Sequence, residues 1–336
     1  MNKNSSYFDV VISSRIRLAR NFNNVPFPAK LFDDRAFELQ EKVFLAIKDL
    51  GDFSFYQISS LNENTKGVLI EKHLISKNLS KNKFSAVILN SNETVSLMIN
   101  EEDHIREQAI VKGFNLKLAY NKLSKIDDAI IEKCDIAYRD DLGFLTTCPT
   151  NLGTGLRASC MLFLPALSLS GKMPAVFDEV KHKKQTIRGF YGEGSSADGY
   201  IYQISNQTTL GKSEFEIIEE VENTIYDICS KEITERITIF KENGESLKNK
   251  AKNSLNELLN AESISIRKFM ENSAIIKLYL FSNDDLKAKS EVFDDLISIV
   301  QPCSLMELSG GGIKANEIDK FRTQYLKKIL KNVIQI

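Results

Sequence analysis

Apolar residues alternate in some stretches of the chain and recur at helical spacing in others, and the two periods divide it. Residues 10–12 open a strand-like run that continues through Arg15 and Arg17. Residues 85–90 (S-A-V-I-L-N) and 95–100 (V-S-L-M-I-N) are short apolar runs bounded by asparagine, which predicts a β-hairpin, and a further strand-like run passes through Ile110 and Val111. Residues 33–50 place Phe37, Val43, Phe44, Ile47 and Leu50 at helical spacing behind Asp33 or Asp34 as cap. A weaker helical pattern covers residues 66–79, where His73 reads as structural or exposed. Residues 124–134 read as a helix with Ser124 as cap and Asp127 three positions on. Residues 158–169 are almost wholly apolar and interrupted by Pro165, which predicts a buried helix with a bend or break. A short strand carries Arg188, residues 200–205 alternate as another, and Ser213 with Glu216 opens a long helix bearing Ile217, Val221, Ile225 and Ile228 on one face. Beyond about residue 235 helical spacing predominates, with residues 310–312 (G-G-G) as a turn between the last two segments. The pattern predicts an α+β chain: a sheet-bearing domain over residues 1–235 and a helical domain over 236–336.

Residues 147–158 (T-C-P-T-N-L-G-T-G-L-R-A) break this pattern between two apolar segments. Gly153 and Gly155, close behind Pro149 and Asn151, permit a tight turn, and Arg157 follows where a helix could begin. Such a loop would offer backbone N–H groups and one guanidinium to an anion. Gly153, Gly155 and Ala158 also spell the G-x-G-x-x-A of a dinucleotide fold. That fingerprint belongs directly between a strand and a helix, with an acidic residue about 20 positions on at a strand end. Here Cys148 to Asn151 intervene, and Asp178 and Glu179 lie in a polar segment, so the dinucleotide reading is set aside.

The 336 residues suffice for a large core and two domains, and a net charge of -1 excludes a global attraction to nucleic acid or anionic membrane. No stretch approaches 18 uninterrupted apolar residues, the first residues lack the apolar segment of a secretory signal, and the five cysteines show no C-x-x-C spacing. A cytoplasmic enzyme with free thiols is the expectation. Only 11 of the 44 basic residues are Arg, so each Arg is a candidate for the two-pronged grip on phosphate or carboxylate that Lys cannot supply.

Arg15 and Arg17, two apart in extended chain, leave the same face beside Ser13 and Ser14, either as solvated edge residues or as a cradle for a polyanion. Residues 100–106 (N-E-E-D-H-I-R) leave the hairpin with adjacent carboxylates. If the chain there is extended, Glu101 and Glu102 point to opposite sides, so one could face a cleft, hold a cationic substrate and take its proton while Arg106 meets a phosphate. The alternative is a solvated hairpin exit. After Arg188, residues 189–199 carry Gly192, Gly194, Ser195 and Ser196 in a loop that either closes over a ligand or is a surface excursion.

Five segments now stand in order: S-S-R-I-R (13–17), N-E-E-D-H-I-R (100–106), C-P-T-N-L-G-T-G-L-R (148–157), Arg188 with its glycine-rich loop, and Q-I-S-N-Q-T-T-L-G-K-S-E (203–214). Together they resemble the phosphagen kinase superfamily, the ATP:guanidino phosphotransferases, and most closely its bacterial protein arginine kinase branch. The start of the motifs by residue 13 and R-G-F-Y-G-E-G (188–194) look like that branch, since the metabolite kinases carry a helical domain ahead of the catalytic one. The resemblance implies a mainly antiparallel sheet flanked by helices, and transfer of the γ-phosphoryl group of ATP, with Mg²⁺, to arginine side chains of proteins. The alternatives are a kinase for free arginine or another small guanidine, or a silent stress-response scaffold.

By position, the resemblance implies that Ser14, Arg15, Arg17, Arg106, Arg157 and Arg188 surround the phosphates and that His104 contacts adenine or ribose. It makes Glu102 the catalytic carboxylate, Glu101 its neighbour, and Cys148 a thiol beside the substrate guanidinium. No residue is assigned to hold metal. It further implies a homodimer, a zinc-binding activator protein, a heat-shock repressor as substrate and a Clp-type protease system. The branch's C-terminal domain resembles a phosphoarginine receptor with R-D-x-x-R-A, whereas this chain has I-D-K-F-R-T at 318–323, and Ile318 cannot grip phosphate.

Overall fold

The computed structural model describes residues 9–31, 34–189, 198–281 and 288–333. Within them one antiparallel sheet has the strand order β2-β3-β4-β5-β1-β8-β10-β9. Its strands are β1 (Val11–Arg20), β2 (Phe53–Gln57), β3 (Ala86–Asn90), β4 (Val95–Ile99), β5 (Ile105–Lys112), β8 (Leu156–Phe163), β9 (Gln185–Gly189) and β10 (Ile201–Asn206). β6 (Tyr138–Arg139) and β7 (Gly143–Phe144) form a separate small hairpin. The helices are α1 (Arg35–Ile47), α2 (Glu63–Glu71), α3 (Leu116–Lys133), α4 (Pro165–Leu169), α5 (Met173–His182), α6 (Glu214–Asn260), α7 (Ile266–Phe281), α8 (Glu291–Ile299), α9 (Pro302–Leu308) and α10 (Ile318–Val333). No helix among the described residues is long and apolar enough to cross a membrane.

Register decides which side chains share a face, because directly opposed residues project to the same side. Arg15 opposes Ile110 and Ser159, Arg17 opposes Gln108 and Arg157, Ala19 opposes Arg106, and Gln203 opposes Met161 and Arg188. Arg15, Arg17, Arg106, Arg157 and Arg188 therefore project from one face, the front. The rear carries Ile16, Leu18, Ala109, Ala158, Cys160 and Ile204, buried with the apolar faces of α1, α3, α5 and the first half of α6. Two smaller clusters cover the front at its ends. Val87, Leu89 and Met98 pack with Leu69, Leu74, Ile75 and Leu79 on one side, and Phe163 and Ile201 pack with the C-terminal helices on the other. The arginine floor lies in the gap between them.

Several predicted elements take a different form. Residues 158–169 are not one helix but most of β8 followed by the short α4, with Pro165 in its first turn. Their alternation is invisible in the sequence because both faces are covered: Ala158, Cys160 and Leu162 join the rear core, while Phe163 joins the front cluster. Arg157 accordingly sits in a strand rather than at a helix start. The helix expected from Ser124 begins at Leu116, capped by Asn115, whose side chain accepts from the Leu118 N–H at 2.9 Å. α2 is shorter than expected: Asn62 caps it, and it ends before His73, whose φ is +59°. Asp34 makes no side-chain cap bond, and Asp33 lies outside the described residues, as does the loop carrying Gly192, Gly194, Ser195 and Ser196. Ser213 and Glu216 do form the capping box that opens α6. That helix runs straight through residue 235 and breaks regular geometry only at Asn243, so the division expected at 235 falls inside a helix.

A charge cluster ties α3 to the rear of the sheet. Arg20, fully buried, donates to both carboxylate oxygens of Asp127 at 2.8 and 2.7 Å. Glu107 lies nearby on β5, and burial first, then the Asp127 charge, pushes its pKa well above the ordinary carboxylate range. An acid whose folded pKa is raised contributes its full share of stability below its unfolded pKa of about 4.3, and that share is lost as pH rises through the folded value. Glu107→Gln keeps the shape without the ionisation. Its melting temperature should gain on the wild type as pH is raised from about 5 to about 9; parallel melting curves across that range would show that Glu107 is not held protonated.

Candidate active site

The front face opens between its two apolar covers into a cleft of about 290 Å³ lined by Arg17, Arg106, Arg157 and Arg188 together with Glu102, Asp103 and Cys148. Four strands supply the guanidinia, so their spacing is set by the ladder rather than by flexible loops. Arg157 is aimed by Ser205, whose hydroxyl accepts from Nε at 3.2 Å and Nη2 at 3.0 Å, and by Thr186 at 3.4 Å. Arg15 stands just outside the cleft, next to Ser159 and Gln108 at 3.5 Å each. Burial, then Arg106 and Arg157, pushes the Arg15 pKa down to about 9, and burial with Arg15, Arg106 and Arg157 pushes Arg17 well below its ordinary value. Guanidinium does not shed its proton in proteins. The crowded positive charge instead makes this face a favourable place for an anion. Arg17 Nε is buried and has no hydrogen-bond partner among the described residues.

The two adjacent carboxylates separate in role. Asn100 turns the chain in the left-handed region, φ +60°, and anchors it by donating to the carbonyls of Phe84 and Ala36 at 3.0 and 3.2 Å. Glu101 then turns inward, accepting from Arg106 at 2.6 Å and Ser76 at 2.5 Å. Burial disfavours its charge, but Arg106 and the Ser76 hydroxyl outweigh that and hold its pKa below the usual range. Glu102 faces the cleft, and no protein group among the described residues hydrogen-bonds to its carboxylate. Its partial burial at the cleft, then Asp103, raises its pKa, opposed in part by Arg106.

The loop beyond is held from behind. Asp103 Oδ1 accepts from the Thr147 N–H at 2.7 Å and from Asn21 at 2.7 Å, and the Thr147 hydroxyl donates to the Glu102 carbonyl at 2.8 Å. Arg20 donates to the Thr154 carbonyl at 2.9 Å and stacks on Phe144 at 3.6 Å. Cys148 thus lines the cleft with Glu102, its thiol 3.0 Å from the Thr150 hydroxyl. Four of the backbone amides expected to face an anion are spent within the chain instead. Those of Asn151, Leu152, Gly153 and Thr154 donate to the carbonyls of Cys148, Pro149, Phe144 and Thr209. These four positions offer no N–H group to an anion, and the loop brings the Cys148 and Arg157 side chains to the cleft.

Two predicted site residues lie elsewhere. Ser14 points to the rear, where its buried hydroxyl donates to the Gly113 carbonyl at 2.8 Å and accepts from the Asn115 N–H at 2.9 Å. The neighbour on the arginine face is Ser13, and strand alternation alone would have assigned it. His104 is fully buried: Nδ1 accepts from the Phe22 N–H at 3.2 Å and Nε2 donates to the Pro26 carbonyl at 2.9 Å, while burial lowers its pKa and keeps it neutral. The histidine beside Arg15 is His73, whose pKa falls to about 4 through burial and the Arg15 charge. In the C-terminal helices Arg322 is buried, donates to the carbonyls of Val300 at 2.8 Å and Ile264 at 2.7 Å, and pairs with Asp319.

Gly155, like Gly153, is a tight point of the loop. At φ +65° an added Cβ would lie 2.6 Å from the Ala19 carbonyl oxygen and 2.7 Å from Arg20 Nη1. Gly155→Ala should lower stability by about 1–3 kcal/mol through strain and displacement of Arg20. Thermal unfolding checks this: an unchanged melting temperature would mean the loop does not lean on Arg20.

The family model for the ATP:guanido phosphotransferase C-terminal catalytic domain matches residues 38–235. Protein-arginine kinase from Bacillus subtilis strain 168 is 37% identical over 327 residues, covering 96% of this chain and 90% of its own. That from Clostridium acetobutylicum is 38% identical, covering 96% of each. Among solved structures, lombricine kinase superposes with a TM-score of 0.61 at 26% identity, over 67% of this chain and 66% of its own. The duplicated taurocyamine kinase from Schistosoma mansoni with bound transition-state-analogue components gives 0.63 at 25%, over 80% and 40%. With that catalytic domain matched over more than half of the chain and relatives of this identity matched along 90% or more of their length, the chain belongs to the ATP:guanido phosphotransferase family.

Proposed function

We propose that this protein is an ATP-dependent protein arginine kinase, transferring the γ-phosphoryl group to the guanidinium of arginine side chains. The observation that carries the chemistry is the cleft itself, where the Glu102 carboxylate, without a hydrogen-bond partner among the described residues, and the Cys148 thiol share one cavity with four strand-borne guanidinia. Phosphoryl transfer needs positioning and charge neutralisation more than covalent chemistry, and this cavity supplies both. The identity to protein-arginine kinases, higher than to the lombricine and taurocyamine kinases, favours a protein-borne acceptor over a small guanidine.

In this mechanism the acceptor guanidinium enters beside Glu102 and Cys148. Glu102 orients it and takes a proton as the N–P bond forms, because free guanidinium has a pKa above 12 and cannot be deprotonated in advance. The bond from γ-phosphorus to the bridging oxygen breaks, and its electron pair leaves with ADP, where Arg17, Arg106, Arg157 and Arg188 meet the growing charge. Glu101 acts on the reaction by holding Arg106 in place. A divalent cation, when bound, neutralises charge on the phosphates. Glu101 and Asp103 are already engaged, which suits Mg²⁺ carried mainly by nucleotide oxygens and water rather than by a protein cage.

The purified chain, incubated with Mg²⁺-ATP and an arginine-rich protein, should yield acid-labile phosphate that mass spectrometry places on arginine. Stoichiometric phosphate on Ser, Thr or Lys with none on Arg would refute the assignment, and rapid ATP use with free arginine alone would move it to a small-guanidine kinase. Glu102→Gln should cut turnover by about two orders of magnitude or more with nearly unchanged ATP affinity, whereas Glu101→Gln should mainly raise the KM for ATP by loosening Arg106. A Glu102→Gln variant keeping more than about half of wild-type turnover would remove Glu102 from this role. Since burial and Asp103 raise the Glu102 pKa, the acid limb of kcat/KM against pH should lie above the ordinary carboxylate value of about 4.3.

A further inference from the structure

A second cavity, of about 170 Å³, continues the arginine floor away from Glu102 and Cys148. Its floor is sheet, with Ser13 and Arg15 on β1, Ile110 on β5, Met161 on β8 and Gln203 on β10. Residues two apart on a strand are about 7 Å apart, so Arg15 stands one step beyond Arg17, where the cleft gives way to this cavity. One wall is the end of α2 with His73. The opposite wall is α8, through Ile297 and Ser298 of the C-terminal helical region.

Both walls are fixed. Lys277 of α7, its Nζ 4.5 Å from the centroid of the Phe163 ring, pairs with Asp294 of α8. The following helix, α9, is docked on α2 by one carboxylate. Glu71 accepts from the N–H groups of Cys303 at 2.7 Å and Ser304 at 2.8 Å and from the Ser304 hydroxyl at 2.9 Å. The two helices meet at Gly67, where an added Cβ would lie 2.3 Å from Cys303 Sγ. The segment that carries His73 is thus clasped to the segment that follows Ile297 and Ser298.

We propose that the C-terminal helices, through Ile297 and Ser298, form one wall of the subsite that takes the nucleotide base, so that base binding and the docking of these helices on α2 stabilise each other. This rests on the phosphotransfer reading of the cleft. A terminal phosphate directed toward Glu102 and a polyphosphate running back over Arg17 leave the base at the Arg15 end. There Ile110, Met161 and Ile297 offer apolar contact to a flat ring, and the Ser298 hydroxyl and Gln203 amide supply polar groups at its edge. Coupling of this kind is reciprocal: whatever the helices contribute to base affinity, bound base returns to their docking.

The discriminating probe is inorganic tripolyphosphate, which carries the charge of the nucleotide tail and no base. On the full-length chain, Mg²⁺-ATP should slow amide hydrogen exchange across residues 291–308, and Mg²⁺-tripolyphosphate should not. Ser298 is exposed, so Ser298→Phe leaves the core intact while crowding the cavity. It should weaken ATP binding about tenfold or more and leave tripolyphosphate within about twofold, and Ile297→Ala should act in the same direction. Equal loss of both ligands, ATP affinity indifferent to Ser298→Phe, or unchanged exchange in α8 and α9 would each overturn the proposal. Wild-type protein that binds neither ligand would sink the phosphotransfer reading of the cleft, and the base wall with it.

Discussion

Like-charge repulsion among five guanidinia on one sheet face is the constraint around which the remaining structure is arranged. Two unit charges about 7 Å apart in a medium of effective dielectric about 20 repel by roughly 2 kcal/mol, and several such pairs together rival the net stability of a whole domain. Covering these side chains with apolar structure would add a desolvation penalty to that repulsion. The fold buries most of the rear of the sheet and covers the front only at its two ends, leaving Arg15, Arg17, Arg106, Arg157 and Arg188 in the gap. Glu101 offsets part of the charge through Arg106, and the remainder is available to an anion.

The same electrostatics divides the work between two adjacent carboxylates. Glu101 is tied to Arg106 and Ser76 and stays ionised, which makes it a fixed part of the cradle. Glu102 has no such partners among the described residues, and its pKa is raised by partial burial and by Asp103, which makes it the better proton acceptor. Asn100 makes the separation possible by bending the chain just ahead of the pair.

Support for the cleft comes from the rear of the molecule. Arg20 and Asp103, the latter held by Asn21, reach the loop that bears Cys148 and the start of β8 through buried and part-buried charge-assisted hydrogen bonds, and Asp127 links that support to α3. Buried polar contacts of this kind are costly to leave half made, so they hold a loop more firmly than surface contacts would. The cleft thereby has a rigid floor and a pinned rim.

The sequence by itself determined the hairpin at residues 85–100, the capping box of α6, the face shared by Arg15 and Arg17, and the grouping of five arginines with Glu101, Glu102 and Cys148. The first three follow from local chemistry, since turn residues, caps and strand alternation act within a few positions; the grouping was implied by the resemblance to a known family, which motif order carries as a string. Only the tertiary structure decided that residues 158–163 form a strand, because a segment covered on both faces shows no period. It alone separated Ser13 from Ser14 and set His73 rather than His104 beside Arg15, since which histidine is sealed by backbone partners and which borders Arg15 depends on neighbours far along the chain. The roles of Arg20 and Asp103, the break of α6 at Asn243 and the meeting of α8 with the arginine face are likewise set by long-range packing. No residue type or spacing encodes a contact between Glu71 and Ser304; it exists because two distant helices are pressed together over one sheet.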